Sequence, residues 1–177
     1  MSSDSLAEFR RQKDEFFKHD PQSPLTREQK RKFTGLSYFP ENPALRFEVE
    51  VEPFEAQETI EMQTTTGDVQ VYRRYGRFHF QVDGQDAALT IFSNEYGYFL
   101  PFVDSLANQE TYPAGRYLEP EPLANGKFMV DFNLAYNPYC AYNERWSCPL
   151  TPFENRLKVS IRAGEKISDE NWVLIDH

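Results

Sequence analysis

From Leu45 onward the chain alternates apolar and charged residues with a period of two, and no other feature restricts its fold as strongly. Leu45, Phe47, Val49 and Val51 interleave with Arg46, Glu48, Glu50 and Glu52. An extended backbone puts the four apolar side chains on one face and the four charges on the other, which is the pattern of a half-buried strand. Similar alternation recurs over 58–65, 69–75, 78–82 and 87–92, and turn residues at Gly67-Asp68, Gly76 and Asp83-Gly84 separate the runs. Further strands are expected at 96–102, 116–119, 127–133 and 157–162, with Asn125-Gly126 as the turn before the third of these. Eight or nine short strands predict an antiparallel meander that curls into a barrel-like domain or doubles into a sandwich, since either arrangement removes exposed edges. The fold class expected is therefore mainly β.

The N-terminal segment has a different period. Ser5-Leu6-Ala7-Glu8 matches a capping box, and Leu6, Phe9, Lys13, Phe16 and Phe17 form a partly apolar stripe opposite Arg10, Arg11, Asp14 and Lys18. A helix is expected there, lying on the body of the domain and ending at His19-Asp20-Pro21. Ser23-Pro24 predicts a second short helix over 25–32. Pro40 and Pro43 keep 33–44 extended, with Phe33, Leu36, Tyr38 and Phe39 as its anchors. The organisation expected is a helical arm over 1–35 on a single β-rich domain over 36–177.

At 177 residues the chain can bury one substantial core. Its net charge of −9 sets up a field that repels phosphate backbones and anionic lipid. Nucleic acid and membrane are accordingly not expected as partners. No apolar run approaches the roughly 20 residues that span a bilayer, and the charged opening lacks a signal-peptide core. These features predict a cytoplasmic protein, in which Cys140 and Cys148 are reduced thiols.

Residues 134–156 keep neither period for long. Three Tyr, one Trp, one Phe and two Cys over this stretch supply buriable surface, so the segment is expected to pack rather than to wander. Asn137-Pro138, Cys148-Pro149 and Thr151-Pro152 fix turns, and Asn133, Asn137, Asn143 and Asn155 are expected to organise them through side-chain to backbone bonds.

The motifs GRYL at 115–118, DFNLAYNPYCAYN at 131–143, CPLTPFENRL at 148–157 and IRAGEK at 161–166 resemble a bacterial and archaeal family known as domain of unknown function 1684, DUF1684. The resemblance runs from the YFP at 38–40 onward. It implies a single β-rich domain and carries no activity, cofactor or catalytic residue with it.

Three kinds of chemistry fit the residues themselves. In the first, a small polar or anionic molecule sits at the end of the 127–133 strand, framed by Arg116, Asp131, Asn133, Tyr136, Asn137, Arg156 and Glu165. The planar guanidinium forks suit a carboxylate or phosphate, and Asp131 or Glu165 would serve as general acid or base if a reaction occurs. The competing structural account pairs Asp131 and Glu165 with those arginines to tie the loop down. In the second, Cys140 and Cys148 form a thiol or metal site, with His79 as the available imidazole, although their spacing is not that of a zinc knuckle. In the third, Tyr136, Tyr139, Tyr142, Arg145 and Trp146 anchor a protein partner. Ser147 lacks a nucleophile elbow, and glycine loops for phosphates or dinucleotides are absent, so no cofactor is indicated.

Overall fold

A computed structural model describes residues 3–168 and Trp172. Helix α1 spans Ser3–His19 and α2 spans Arg27–Lys32. Nine strands follow: β1 Arg46–Glu50, β2 Glu52–Pro53, β3 Thr59–Gln63, β4 Val69–Val82, β5 Gln85–Asn94, β6 Gly97–Phe102, β7 Arg116–Leu118, β8 Glu121–Pro122 and β9 Lys127–Asp131. They form a three-stranded sheet, β1-β9-β8, and a larger sheet in the order β2-β4-β5-β6-β7, with β3 also paired to β4. Every strand pair is antiparallel. The protein is thus mainly β with an N-terminal helix, and its sheets do not close into a barrel.

The two sheets share one core. Phe47 on β1 meets Phe80 on β4 at 5.3 Å between ring centroids, and Tyr75 on β4 meets Phe128 on β9 at 5.9 Å. Leu89, Ile91, Leu100, Phe102 and Val130 lie in the same cluster, each essentially without solvent exposure. This is what the period-two pattern requires, because alternate residues of each strand must enter one apolar layer. The acidic residues between them, such as Glu48, Glu50 and Glu61, are exposed on the outer side.

Local signals diverge from the tertiary outcome at four places. Helix α1 already includes Ser3, so Ser5 lies within it rather than at its start. The capping box instead opens α2, where Thr26 and Gln29 exchange side-chain and backbone bonds, and Ser23 turns its hydroxyl to the Phe17 carbonyl at 2.6 Å. Segment 157–162 is not a strand. Its residues lie along the core as irregular backbone, with Ile161 and Val159 buried.

The fourth place is Gly76, which the pattern marks as a turn. It lies inside β4, beside a register shift between Arg74 and Gly76 that bends the 14-residue strand. A Cβ at this position would fall 2.7 Å from the Glu52 carbonyl oxygen and 2.8 Å from Val51 Cγ1. The glycine therefore serves close approach of β2, not chain reversal. Gly76→Ala should push β2 off the sheet edge and cost about 1–3 kcal/mol, readable as a lower denaturation midpoint.

Candidate functional site

A second hydrophobic cluster lies outside the sheets and joins the N-terminal helices to the irregular 134–156 segment. Phe17, Leu25, Phe33, Tyr112, Cys140, Tyr142, Cys148 and Trp172 are buried in it. Phe17 meets the rings of Tyr142 at 5.6 Å and Tyr139 at 6.1 Å, both edge to face. The loop is packed because its aromatic side chains close against α1 and Trp172.

Polar side chains hold this arrangement in place. Asn155, fully buried, accepts from Thr90 N–H and donates to the carbonyls of Thr90 and Pro101, each at 2.8 Å, so it ties β5 and β6 to the loop. Asn133 accepts from Asn42 N–H at 2.8 Å and donates to the Asn42 carbonyl and to Asp131 at 2.9 Å. Asn137 donates to the Tyr142 hydroxyl and the Lys166 carbonyl. Asn143 accepts from Arg145 N–H at 3.2 Å. Asn143 bonds locally as a turn residue does, whereas Asn133, Asn137 and Asn155 fasten backbone remote in sequence, at Asn42, at Lys166, and at Thr90 and Pro101.

The charged candidates are similarly engaged, with partners that local spacing does not reveal. Arg116 is 1% exposed and donates to the carbonyls of Ile161, Ala163 and Glu165, with Asp104 3.5 Å away. Burial pulls its guanidinium down to about 10, against the opposing pull of Asp104 and Glu165, so it stays charged at neutral pH. Asp131 pairs with Arg46 at 3.0 Å and caps the 3-10 turn at Phe132–Leu134 through Asn133 N–H. Because the chain turns there, β9 stops at Asp131, and Asn133 meets Asp131 across the turn rather than along a strand face.

Glu165 is completely buried, accepting from Lys13 on one oxygen and from Asn137 N–H and the Tyr142 hydroxyl on the other. Neither acid is paired with Arg116 or Arg156 through its carboxylate. Arg156 is exposed and its backbone bridges Val103, away from Asp131 and Glu165 in the hydrogen-bond pattern. The structure thus gathers Tyr136, Asn137 and Glu165, links Arg116 to them only through the Glu165 carbonyl, and separates the Asp131–Asn133 pair and Arg156.

Between α1 and the loop lies a cleft of about 630 Å³. One wall is the α1 face Phe9, Gln12, Lys13 and Phe16, whose spacing repeats once per helical turn. Tyr136, Tyr139, Trp146 and Pro149 make the opposite wall, and Tyr117 from β7 and Cys148 lie at its floor. Tyr139 and Trp146 pack edge to face at 5.4 Å, and the Trp146 indole N–H donates to the Pro24 carbonyl at 3.1 Å. Tyr117 and Tyr136 are similarly perpendicular at 5.8 Å. Their hydroxyls donate to the Pro149 carbonyl and to Glu119, and burial raises both well above the ordinary tyrosine range.

Lys13 is the only ammonium among the lining side chains. Its Nζ bonds Glu165 and lies 4.8 Å from the Tyr136 ring centroid and 5.8 Å from that of Phe17. A cation in the middle of an otherwise apolar helix stripe was the one signal in the sequence that could have located this site, because it demands a buried acid opposite. Of the residues nominated from sequence, Tyr136 lines the cleft and Asn137 and Glu165 support it from behind. Asp131 instead lines a smaller depression of about 250 Å³, which also touches Phe9 and Tyr136.

The other two sets of candidate residues are placed as follows. His79 is exposed on β4, outside the cluster that buries both cysteines, and among the described residues no group of three or more His, Cys, Asp and Glu side chains could hold a metal ion. Cys140 and Cys148 are free thiols. Tyr142 is buried, and Tyr136, Tyr139 and Trp146 are partly buried around the cleft. Arg145 is exposed, with its guanidinium 5.3 Å from the Trp146 ring centroid. Among the described residues no helix is long and apolar enough to cross a membrane.

Comparison with known proteins agrees with the fold. No curated protein matches the chain. It is similar to an uncharacterized protein from gene locus rrnAC0354 of Haloarcula marismortui, known from a solution NMR structure, at 37% identity with a TM-score of 0.70. That likeness covers 92% of each chain. The family model described as protein of unknown function (DUF1684) matches residues 31–166, and the chain belongs to that family.

Proposed function

We propose that the protein binds a small molecule with a flat apolar body and one polar or singly anionic end, in the cleft between α1 and the 136–149 loop. The observation that carries this reading is the Lys13 ammonium set among aromatic rings at the inner edge of the cleft. A volume of about 630 Å³ is that of a small-molecule site, and mainly aromatic walls with few polar groups are the usual composition of one. Lys13 has three N–H donors, of which Glu165 takes one, so a ligand carboxylate or carbonyl can take another. The net charge of −9 weighs against polyanions, and a single negative charge is what the Lys13 and Glu165 pair can tolerate.

Binding rather than catalysis is the better reading. Both oxygens of Glu165 accept hydrogen bonds from the protein, and so do both oxygens of Asp131. A general base needs an oxygen within reach of the substrate proton, and neither carboxylate lines the main cleft.

The test uses two α1 variants that leave the core intact. Gln12 is exposed and its side chain donates only to Glu8 at 3.0 Å, so Gln12→Trp fills the cleft mouth without removing a buried contact. Phe9 is 40% exposed, and Phe9→Ala removes one wall. Aromatic monocarboxylates, screened by thermal shift against aliphatic polyols and inorganic phosphate, are expected to raise the melting temperature of the wild type. Gln12→Trp should weaken the best of them by roughly tenfold or more, and Phe9→Ala by a smaller factor. Equal stabilisation of wild type and Gln12→Trp would move the site elsewhere, and a preference for phosphate or polyols would overturn the ligand class.

A further inference from the structure

Cys140 and Cys148 are eight positions apart in sequence and in contact in space. The 3-10 turn at Tyr139–Ala141 carries Cys140, and a turn over 143–146, closed by Trp146 N–H to the Asn143 carbonyl at 3.2 Å, reverses the chain before Cys148. Cys140 N–H donates to Cys148 Sγ at 3.4 Å, so the Cys148 sulfur lies against the Cys140 backbone. The Tyr112 hydroxyl lies 3.6 Å from Cys140 Sγ, and Cys148 N–H donates to the Thr65 hydroxyl at 3.2 Å. Cysteines that serve only as small hydrophobes lie among apolar side chains. These two instead share a polar network of thiols, hydroxyls and amides inside an aromatic cluster.

We propose that Cys140 and Cys148 are a dithiol that hydroperoxides convert reversibly into an intramolecular disulfide at the floor of the cleft. The geometry supplies what that reaction needs. The Cys148 sulfur already lies against the Cys140 amide, and a disulfide of ~2.05 Å requires the Cys140 sulfur to turn onto it. Cys140 lies in a 3-10 turn outside the sheets, so its movement breaks no strand pairing, while Cys148 is held by Thr65, whose N–H donates to the Cys148 carbonyl at 3.0 Å. Cys148 lines the cleft and Cys140 lies behind it, so an oxidant as small as hydrogen peroxide has to pass Cys148 to reach Cys140.

The reactive form is favoured as well. Pairing with Cys148, helped by the Tyr112 hydroxyl, outweighs burial and brings the Cys140 thiol down to about 7, while the same pairing pushes Cys148 up. Two coupled thiols lose their first proton easily and their second with difficulty, which leaves one thiolate and one thiol side by side.

The chemistry balances with the peroxide as sole oxidant. Cys140 thiolate attacks one peroxide oxygen, the O–O bond breaks, and the departing hydroxide leaves as water after taking up a proton. This gives a sulfenic acid at Cys140. Cys148 sulfur then attacks the Cys140 sulfur, the S–O bond breaks, and its oxygen leaves as a second water with the Cys148 proton. Two thiols are oxidised to one disulfide and one hydroperoxide is reduced. The bond closes the loop that carries Trp146, so it also fixes one wall of the cleft. The pair is independent of any cleft ligand.

The measurement is made on the native wild-type chain. Treatment with hydrogen peroxide, followed by denaturation and thiol titration, is expected to take the free thiols from two to none. The intact mass falls by two hydrogens, dithiothreitol restores both thiols, and a peptide map recovers residues 140 and 148 in one cross-linked species. Cys148→Ser should stop at the sulfenic acid, trapped as a dimedone adduct on Cys140, and Cys140→Ser should react roughly tenfold more slowly or worse. Thiols that survive peroxide in the folded protein would overturn the proposal. So would oxidation straight to sulfinic acid without a cross-link, or a disulfide found only between chains. The wild-type mass and peptide map decide the matter even if either serine variant fails to fold.

Discussion

Replacing Arg116 with Met should unfold the protein at markedly lower denaturant, with a loss of about 3–5 kcal/mol. The guanidinium is 1% exposed, and its N–H groups are the shared partners of three carbonyls, those of Ile161, Ala163 and Glu165. Removing it leaves these acceptors buried without a donor and Asp104 without its cation 3.5 Å away. Met restores much of the volume, so the loss measures polar partners rather than a cavity. Arg116→Lys should recover little of it. An ammonium cannot reproduce a planar fork that reaches Ile161 on one side and Ala163 and Glu165 on the other. A chemical denaturation series over wild type, Arg116→Lys and Arg116→Met tests this. Near wild-type stability of the Met variant would mean that the 161–165 segment is held by its apolar side chains alone.

The pair formed by Lys13 and Glu165 should behave differently. Lys13→Met leaves the buried Glu165 carboxyl group without its cation, and Glu165→Gln leaves the partly exposed Lys13 ammonium without its acid. Each single change should cost about 3 kcal/mol. The double variant removes both charges together, while the amide oxygen of Gln can still accept from Asn137 N–H or the Tyr142 hydroxyl. Its stability should therefore exceed the sum of the single losses by about 1–3 kcal/mol, which is the coupling a double-mutant cycle reads. Strict additivity would show that the two charges do not sense each other. The distinction bears on function, because this pair anchors α1 to the body and places the ammonium at the edge of the cleft.

Most of the β architecture could be read from periodicity. The runs from Leu45 to Phe102 became β1 to β6 because alternation is a local consequence of the two-residue pleat, and the hairpin glycines at 67 and 84 adopt positive φ. Gly76 and segment 157–162 misled for a shared reason. In both, the local pattern is compatible with the expected state, but a distant backbone decides the outcome. The β2 chain passes within contact of Gly76, and Arg116 takes the carbonyls of 161, 163 and 165 that a strand would offer to a neighbour.

The candidate site was legible only in part. Asn143 does the turn-organising work its residue type implies, whereas Asn133, Asn137 and Asn155 reach backbone remote along the chain, and the 134–156 segment packs as its aromatic content requires. Three of the site's parts were out of reach: the wall supplied by α1, the partner of Lys13 and the meeting of the two sulfurs. Lys13 and Glu165 are 152 positions apart, and no local spacing encodes a contact of that range.

The segment from Pro101 to Lys166 is rich in Asn and Tyr and holds both cysteines, and by itself the sequence determined that such residues would be concentrated beyond the meander. Tertiary structure alone decided what they do there. Most became internal fasteners, because a buried polar group is stable only when another buried group satisfies it, and those partners come from elements remote along the chain. The solvent-facing remainder of that segment, pressed against the stripe of α1, forms the cleft. Alternation along a strand is written residue by residue, whereas a cavity exists only between elements that have already found each other.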